Sequence, residues 1–130
     1  TATLTLPFEH RQRSRMRVVL DDGREAAVLL ERGRTLRGGD LLGSRCGLCI
    51  KVVAGPETLS VVHTTVAETM TRAAYHLGNR HVAVEIRRGE LRYLADHVLD
   101  EMLRGLGLEV AHATLPFEPE AGAYGHGNVH

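Results

Sequence analysis

Residues 59–115, LSVVHTTVAETMTRAAYHLGNRHVAVEIRRGELRYLADHVLDEMLRGLGLEVAHATL, decide the fold. Leu59 to His63 reads as a strand. Thr65-Val66-Ala67-Glu68 offers a capping box, in which a threonine hydroxyl and a glutamate carboxylate satisfy two otherwise orphaned N–H groups. Val66, Met70, Ala73 and Leu77 follow at helical spacing, and Gly78-Asn79 supplies a stop. The next stretch alternates from His81 to Ile86, with Val82, Val84 and Ile86 on one face and His81, Ala83 and Glu85 on the other. Gly89 turns the chain into a further strand, Glu90 to Leu94. Asp96 then caps a second helix with the apolar stripe Val98, Leu99, Met102, Leu103 and Leu106, and Gly107 ends it. Residues 108–115 form a last strand. The order β-α-β-β-α-β predicts a ferredoxin-like unit, with two helices on one face of a four-stranded sheet.

Upstream, the pattern changes. Leu4, Leu6 and Phe8 alternate with polar or turn residues. Met16, Val18 and Leu20 alternate up to Asp22-Gly23, a dipeptide that marks a hairpin because glycine reaches positive φ without a Cβ clash. Glu25 to Leu30 is the return strand, turns follow at Gly33 and Gly38-Gly39-Asp40, and Leu48 to Val53 is another strand before Gly55-Pro56. No helix is expected here. The fold class is therefore α+β: an N-terminal β domain over 1–58 suited to partner docking, a ferredoxin-like domain over 59–115, and a flexible tail over 116–130 rich in Gly, Pro and polar residues.

The composition removes whole classes of function. Among 130 residues, 16 Lys and Arg balance 16 Asp and Glu, so no net charge draws the chain to nucleic acid or to a membrane surface. No apolar run approaches the roughly 18 residues of a spanning helix. Trp is absent and Phe plus Tyr number five, so the core is aliphatic and base-stacking platforms are lacking. There is no nucleophile elbow, no phosphate loop and no HExxH, so the sequence does not read as an enzyme.

Three features remain. Arg11, Arg13, Arg15 and Arg17 recur at every second residue and would share one strand face, a solvated or partner-facing edge. Cys46-Gly47-Leu48-Cys49 is a C-x-x-C with three readings: half of a zinc site, a redox dithiol, or small residues at a hairpin. No second cysteine pair completes a closed zinc site, and the pair sits among strands rather than at a helix N-terminus, so the hairpin reading weighs most. Lastly, the chain carries eight histidines, and neutral imidazole ligates Zn, Cu and Ni.

The histidines divide by position. His76 falls in a last helical turn, where it can meet the helix carbonyls. His63 and His112 sit within strands and read as structural. His97 follows the Asp96 cap in the first turn, available as a ligand or simply exposed. His126 and His130 lie in the tail with no packing role, which favours ligand duty. His81 is set to project from the sheet face that the helices leave open. If two chains met through that face, their His81 side chains could share a metal across a two-fold axis, with other groups completing the coordination.

Tyr75-His76-Leu77-Gly78-Asn79-Arg80-His81-Val82, Asp96-His97-Val98-Leu99-Asp100 and Leu115-Pro116-Phe117-Glu118-Pro119-Glu120-Ala121-Gly122-Ala123-Tyr124-Gly125 resemble the UreE urease accessory proteins. The likeness runs through Ser14-Arg15-Met16-Arg17-Val18 and Leu20-Asp21-Asp22-Gly23-Arg24 and covers essentially the whole chain. The resemblance implies a cytoplasmic homodimer that carries Ni²⁺ to the urease apoprotein together with an accessory GTPase. It also implies that His81, in G-N-R-H, is the shared interface histidine. Ala95 stands where relatives can carry a second histidine, so His97 is expected to be a weak surface ligand. Gly125 to His130 carries two histidines where many relatives have a long polyhistidine run, and low metal capacity per chain is expected. Cu²⁺ and Zn²⁺ should bind the same imidazoles, Cu²⁺ more tightly. The rival readings are an interaction module with incidental metal binding, and a thiol redox protein using Cys46 and Cys49.

Overall fold

The computed structural model describes residues 2–122. The chain divides between Gly55 and Pro56 into two compact units.

In the first unit, β1 (Ala2–Leu6) runs parallel to β5 (Cys49–Ala54), and β4 (Leu41–Gly43) pairs with β5 antiparallel. A separate hairpin joins β2 (Arg15–Val19) to β3 (Glu25–Leu29), with Gly23 at φ 93° in the expected turn. Ala2, Leu4, Leu6, Val18, Leu20, Val28 and Ile50 make the core. Asp21 ties the hairpin to β1 by accepting the hydroxyls of Thr3 and Thr5, each at 2.7 Å.

Two expectations fail in this unit. A short helix, α1 (Phe8–Arg11), stands where none was expected. Pro7 precedes it with φ already at −71°, which suits helix entry, and Phe8 is buried instead of extending the strand. The arginine row is broken for the same reason. Arg11 turns inward and is wholly buried, donating from Nε to the Leu6 carbonyl at 3.1 Å and from Nη1 to the Leu36 carbonyl at 3.2 Å. Only Arg15 and Arg17 share a strand face.

The second unit has the expected order: β6 (Pro56–His63), α2 (Ala67–Asn79), β7 (Glu85–Arg87), β8 (Glu90–Leu94), α3 (His97–Gly105) and β9 (Val110–Pro116). Its antiparallel sheet reads β7-β8-β6-β9, the ferredoxin-like arrangement. Val62, Leu91 and Tyr93 of the sheet pack with Ala73, Leu77, Leu99 and Leu103 of the two helices. Each such leucine contributes about 1.5–3 kcal/mol by leaving water.

Local details differ from the sequence reading. The capping box does not form: α2 begins at Ala67 with Val66 as its N-cap, which leaves Thr65 outside the capping position, and Glu68 pairs with Arg72 one turn on. Asp96 does cap α3, accepting the Leu99 N–H at 3.0 Å. The alternating stretch after α2 is a strand only from Glu85, and Val84 and Glu85 are both buried while Ile86 is exposed. Residues 117–120, expected in a flexible tail, are packed: Phe117 and Pro119 are buried, and the Glu120 N–H donates to the Val84 carbonyl at 2.8 Å.

Candidate metal centre

Helix α2 ends in a Schellman motif, the hydrogen-bonded reversal in which the residue just past the helix takes a left-handed conformation. Arg80 is the C-cap, the His81 N–H donates to the Gly78 carbonyl at 2.9 Å, and the Val82 N–H donates to the Leu77 carbonyl at 3.2 Å. The left-handed residue is His81, at φ 58°, and it is the one non-glycine with positive φ among the described residues. Gly78 and Asn79, expected to stop the helix, are its last two residues instead. His81 therefore does not alternate on a strand face as expected. It stands exposed at the helix end.

Val82, the residue after His81, lines an apolar recess. This recess, of about 130 Å³, is lined by Ala74, Gly78, Val82, Val84, Ile86, Glu120 and Ala121. Ile86, which lines the recess, is 55% exposed, and Tyr75 on α2 is 65% exposed. Tyr75 packs edge-on against the His76 ring at 5.3 Å, and His76 lies half-buried in the last turn of α2 as expected.

The other histidines have different company. His97 is the first residue of α3 and exposed. His63 meets Glu90 at 3.3 Å across the β6–β8 pair. His112 holds its Nε2 2.7 Å from Asp100 Oδ2, so both strand histidines have carboxylate partners. His126 and His130 lie outside the described residues. Among the described residues, no three His, Cys, Asp or Glu side chains converge on a metal position.

One polar cluster had no signature in the sequence. Asp100 on α3 is 3% exposed. It accepts hydrogen bonds from the Ser60 and Tyr93 hydroxyls, both at 2.6 Å, besides its contact with His112. Burial works to raise its carboxyl, yet Ser60, Tyr93 and His112 together hold it below the ordinary carboxylate value. Tyr93 moves the other way: burial, then the hydrogen bond and charge of Asp100, push its phenol well above the usual range. Only long-range pairing, 40 residues apart between Ser60 and Asp100, reveals the cluster.

In the first unit, Cys46 is exposed in the β4–β5 turn and Cys49 opens β5, both with free thiols. The Ser44 hydroxyl lies 3.2 Å from the Cys46 sulfur. That contact, then the Leu48 backbone and the Arg24 charge, lowers the Cys46 thiol despite opposing desolvation. No helix of the described residues is long and apolar enough to cross a membrane.

Comparison with known proteins agrees with this arrangement along the chain. Residues 1–55 match the family model of the UreE urease accessory protein N-terminal domain, and residues 57–130 match that of its C-terminal domain. A urease accessory protein UreE of Pseudomonas putida strain W619 is 57% identical over 125 residues, covering 95% of this chain and 78% of the relative. That of Enterobacter sp. strain 638 is 57% identical over 125 residues, covering 95% and 82%. That of Citrobacter koseri is 54% identical over 134 residues, covering 100% and 88%. Such accessory proteins are chaperones rather than enzymes. The chain belongs to the UreE urease accessory protein family, with a role in urease maturation.

Proposed function

We propose that this chain is a nickel metallochaperone that acts as a cytoplasmic homodimer, handing Ni²⁺ to the urease apoprotein together with the accessory GTPase of urease maturation. His81 from two subunits forms the central site. His126 and His130 are auxiliary ligands, and His97 is a weak surface ligand.

The observation that carries this reading is the placement of His81. A position that favours glycine is occupied by an exposed imidazole beside an apolar recess. Strain kept at one residue is a pointer to function when the surrounding fold imposes it. A second copy would bury Ile86 and Tyr75 and supply a second imidazole.

Few imidazole ligands suit a carrier, because a partner that offers more ligands can then take the ion. Cu²⁺ and Zn²⁺ compete for the same donors, Cu²⁺ more strongly. Binding weakens on acidification, since a protonated imidazole has no lone pair to give. The direct test is activation of urease apoprotein with limiting Ni²⁺, comparing wild type with His81→Ala. Activation is expected to fall with the variant. Full activation by His81→Ala would favour an assembly module with incidental metal binding.

A further inference from the structure

The β2–β3 hairpin of the first unit has two unlike faces. Val18 and Val28 belong to the core, and Met16 and Ala26 pack against it. The antiparallel register sets Arg15 opposite Leu29, Arg17 opposite Ala27 and Val19 opposite Glu25. Paired positions point to the same side of a ribbon, so these residues make up the outward face, and all of them are exposed. Val19 is 62% exposed and Leu29 is 70% exposed. The solvated face of a half-buried antiparallel sheet is ordinarily polar. Here two large apolar side chains stand at opposite corners, with Arg17 and Ala27 between them.

The charge on this face is unmet. Among the described residues neither Arg15 nor Arg17 has an ion pair or a hydrogen bond from its side chain. Arg24 pairs with Asp22 at 2.6 Å, but at the turn. Glu25 lies diagonal to Arg17, a separation of about 7–8 Å. The wider surroundings have the same sign. Residues 1–55 hold ten of the sixteen Lys and Arg but six of the sixteen Asp and Glu, so the neutral chain conceals a first unit with four excess positive charges. Arginine is also the cation enriched at protein interfaces, where lysine is depleted.

We propose that this outward face docks an acidic, partly apolar surface of the urease apoprotein, Arg15 and Arg17 meeting carboxylates while Val19 and Leu29 leave water. A planar guanidinium matches a carboxylate with two parallel hydrogen bonds. Urease is the partner that the family role supplies. Nucleic acid suits the face less well, because Glu25 would meet phosphate and no aromatic ring is present to stack on bases. The face is far smaller than the roughly 20–30 residues a side of a standard interface, so the contact is transient and its encounter rate depends on salt.

The test is binding of the full chain to immobilised urease apoprotein, at low and at physiological salt. Wild type is compared with Arg15→Glu/Arg17→Glu and with Val19→Ser/Leu29→Ser. Each double variant is expected to raise Kd by about tenfold or more. The wild-type Kd should rise with salt, and that of the charge-reversed variant should not. Arg15→Gln/Arg17→Gln, which only removes charge from exposed positions, gives a smaller rise in the same direction and serves if the reversal does not fold. An unchanged Kd in a folded arginine variant, or no binding by wild type, would overturn the proposal. Loss of binding confined to the accessory GTPase or to a DNA duplex, with urease binding intact, would overturn it and assign the face to that partner. Ni²⁺ titration of the same variants is expected to match wild type, so the docking face and the His81 site fail independently. A changed Ni²⁺ affinity would mean that the variants act through the fold, and would also overturn the proposal.

Discussion

His81 and Gly107 occupy the same position in two equivalent helix ends. Each is the residue after the C-cap, the first following Arg80 and the second following Leu106. Gly107 donates its N–H to the Arg104 carbonyl at 2.9 Å, and Leu108 donates to the Leu103 carbonyl at 3.2 Å, repeating the bonds that His81 and Val82 make after α2. Their φ angles are 94° for Gly107 and 58° for His81. One helix uses the residue that the geometry favours, and the other uses an imidazole.

The pair makes a prediction about stability. His81→Gly removes the left-handed penalty of a side chain and is expected to stabilise the second unit by about 1 kcal/mol. That corresponds to a rise of about 4–8 °C in its melting temperature. Gly107→Ala is expected to destabilise by a similar amount. Thermal unfolding of both variants checks this, and a His81→Gly chain that melts earlier than wild type would refute it.

Asp100 should govern stability in acid. Its carboxyl is lower in the folded chain than the ordinary value, so its contribution is complete above the unfolded carboxylate range and is lost as pH falls through the folded value. Asp100→Asn keeps the shape but removes the charge that Ser60, Tyr93 and His112 face. It is expected to cost about 1.5–3 kcal/mol at neutral pH and to flatten the decline of melting temperature below about pH 5. A series of melts from neutral to acid pH on both proteins reads this out. Parallel curves would assign the acid sensitivity to other carboxylates.

Cys46 is expected to be the reactive thiol. It is exposed and its thiol is lowered, chiefly by Ser44, whereas Cys49 is half-buried at the start of β5. Alkylation followed by peptide mapping should modify Cys46 first, with a rate-against-pH midpoint below that of an ordinary thiol. Ser44→Ala should move that midpoint upward. Equal alkylation of both cysteines would remove the special environment of Cys46, and a readily reversible bond between them would favour the thiol redox reading.

The local grammar of the sequence carried much of the fold. The element order after Pro56, the Asp96 cap and the Gly107 stop were legible because each depends on neighbours within one turn of helix. His81 was expected on a strand face and stands instead just past the end of α2. Val82, Val84 and Ile86 mimic a period of two, and a left-handed residue is sought at glycine, with Gly78 close at hand. The arginine row failed because Pro7 and Phe8 start a helix that swings Arg11 inward. The partners of Asp100 and the packing of Phe117 and Pro119 depend on contacts between distant elements, which no window of sequence contains.

The central claim is that two His81 side chains hold one Ni²⁺ between subunits. The most direct measurement is a Ni²⁺ titration by calorimetry, with the mass in solution determined in the same buffer, on wild type and His81→Ala. One tight Ni²⁺ per dimer in wild type, absent in a variant that is still folded, is the expected result. Tight binding that survives His81→Ala with the same stoichiometry would contradict the claim and place the ion on other ligands.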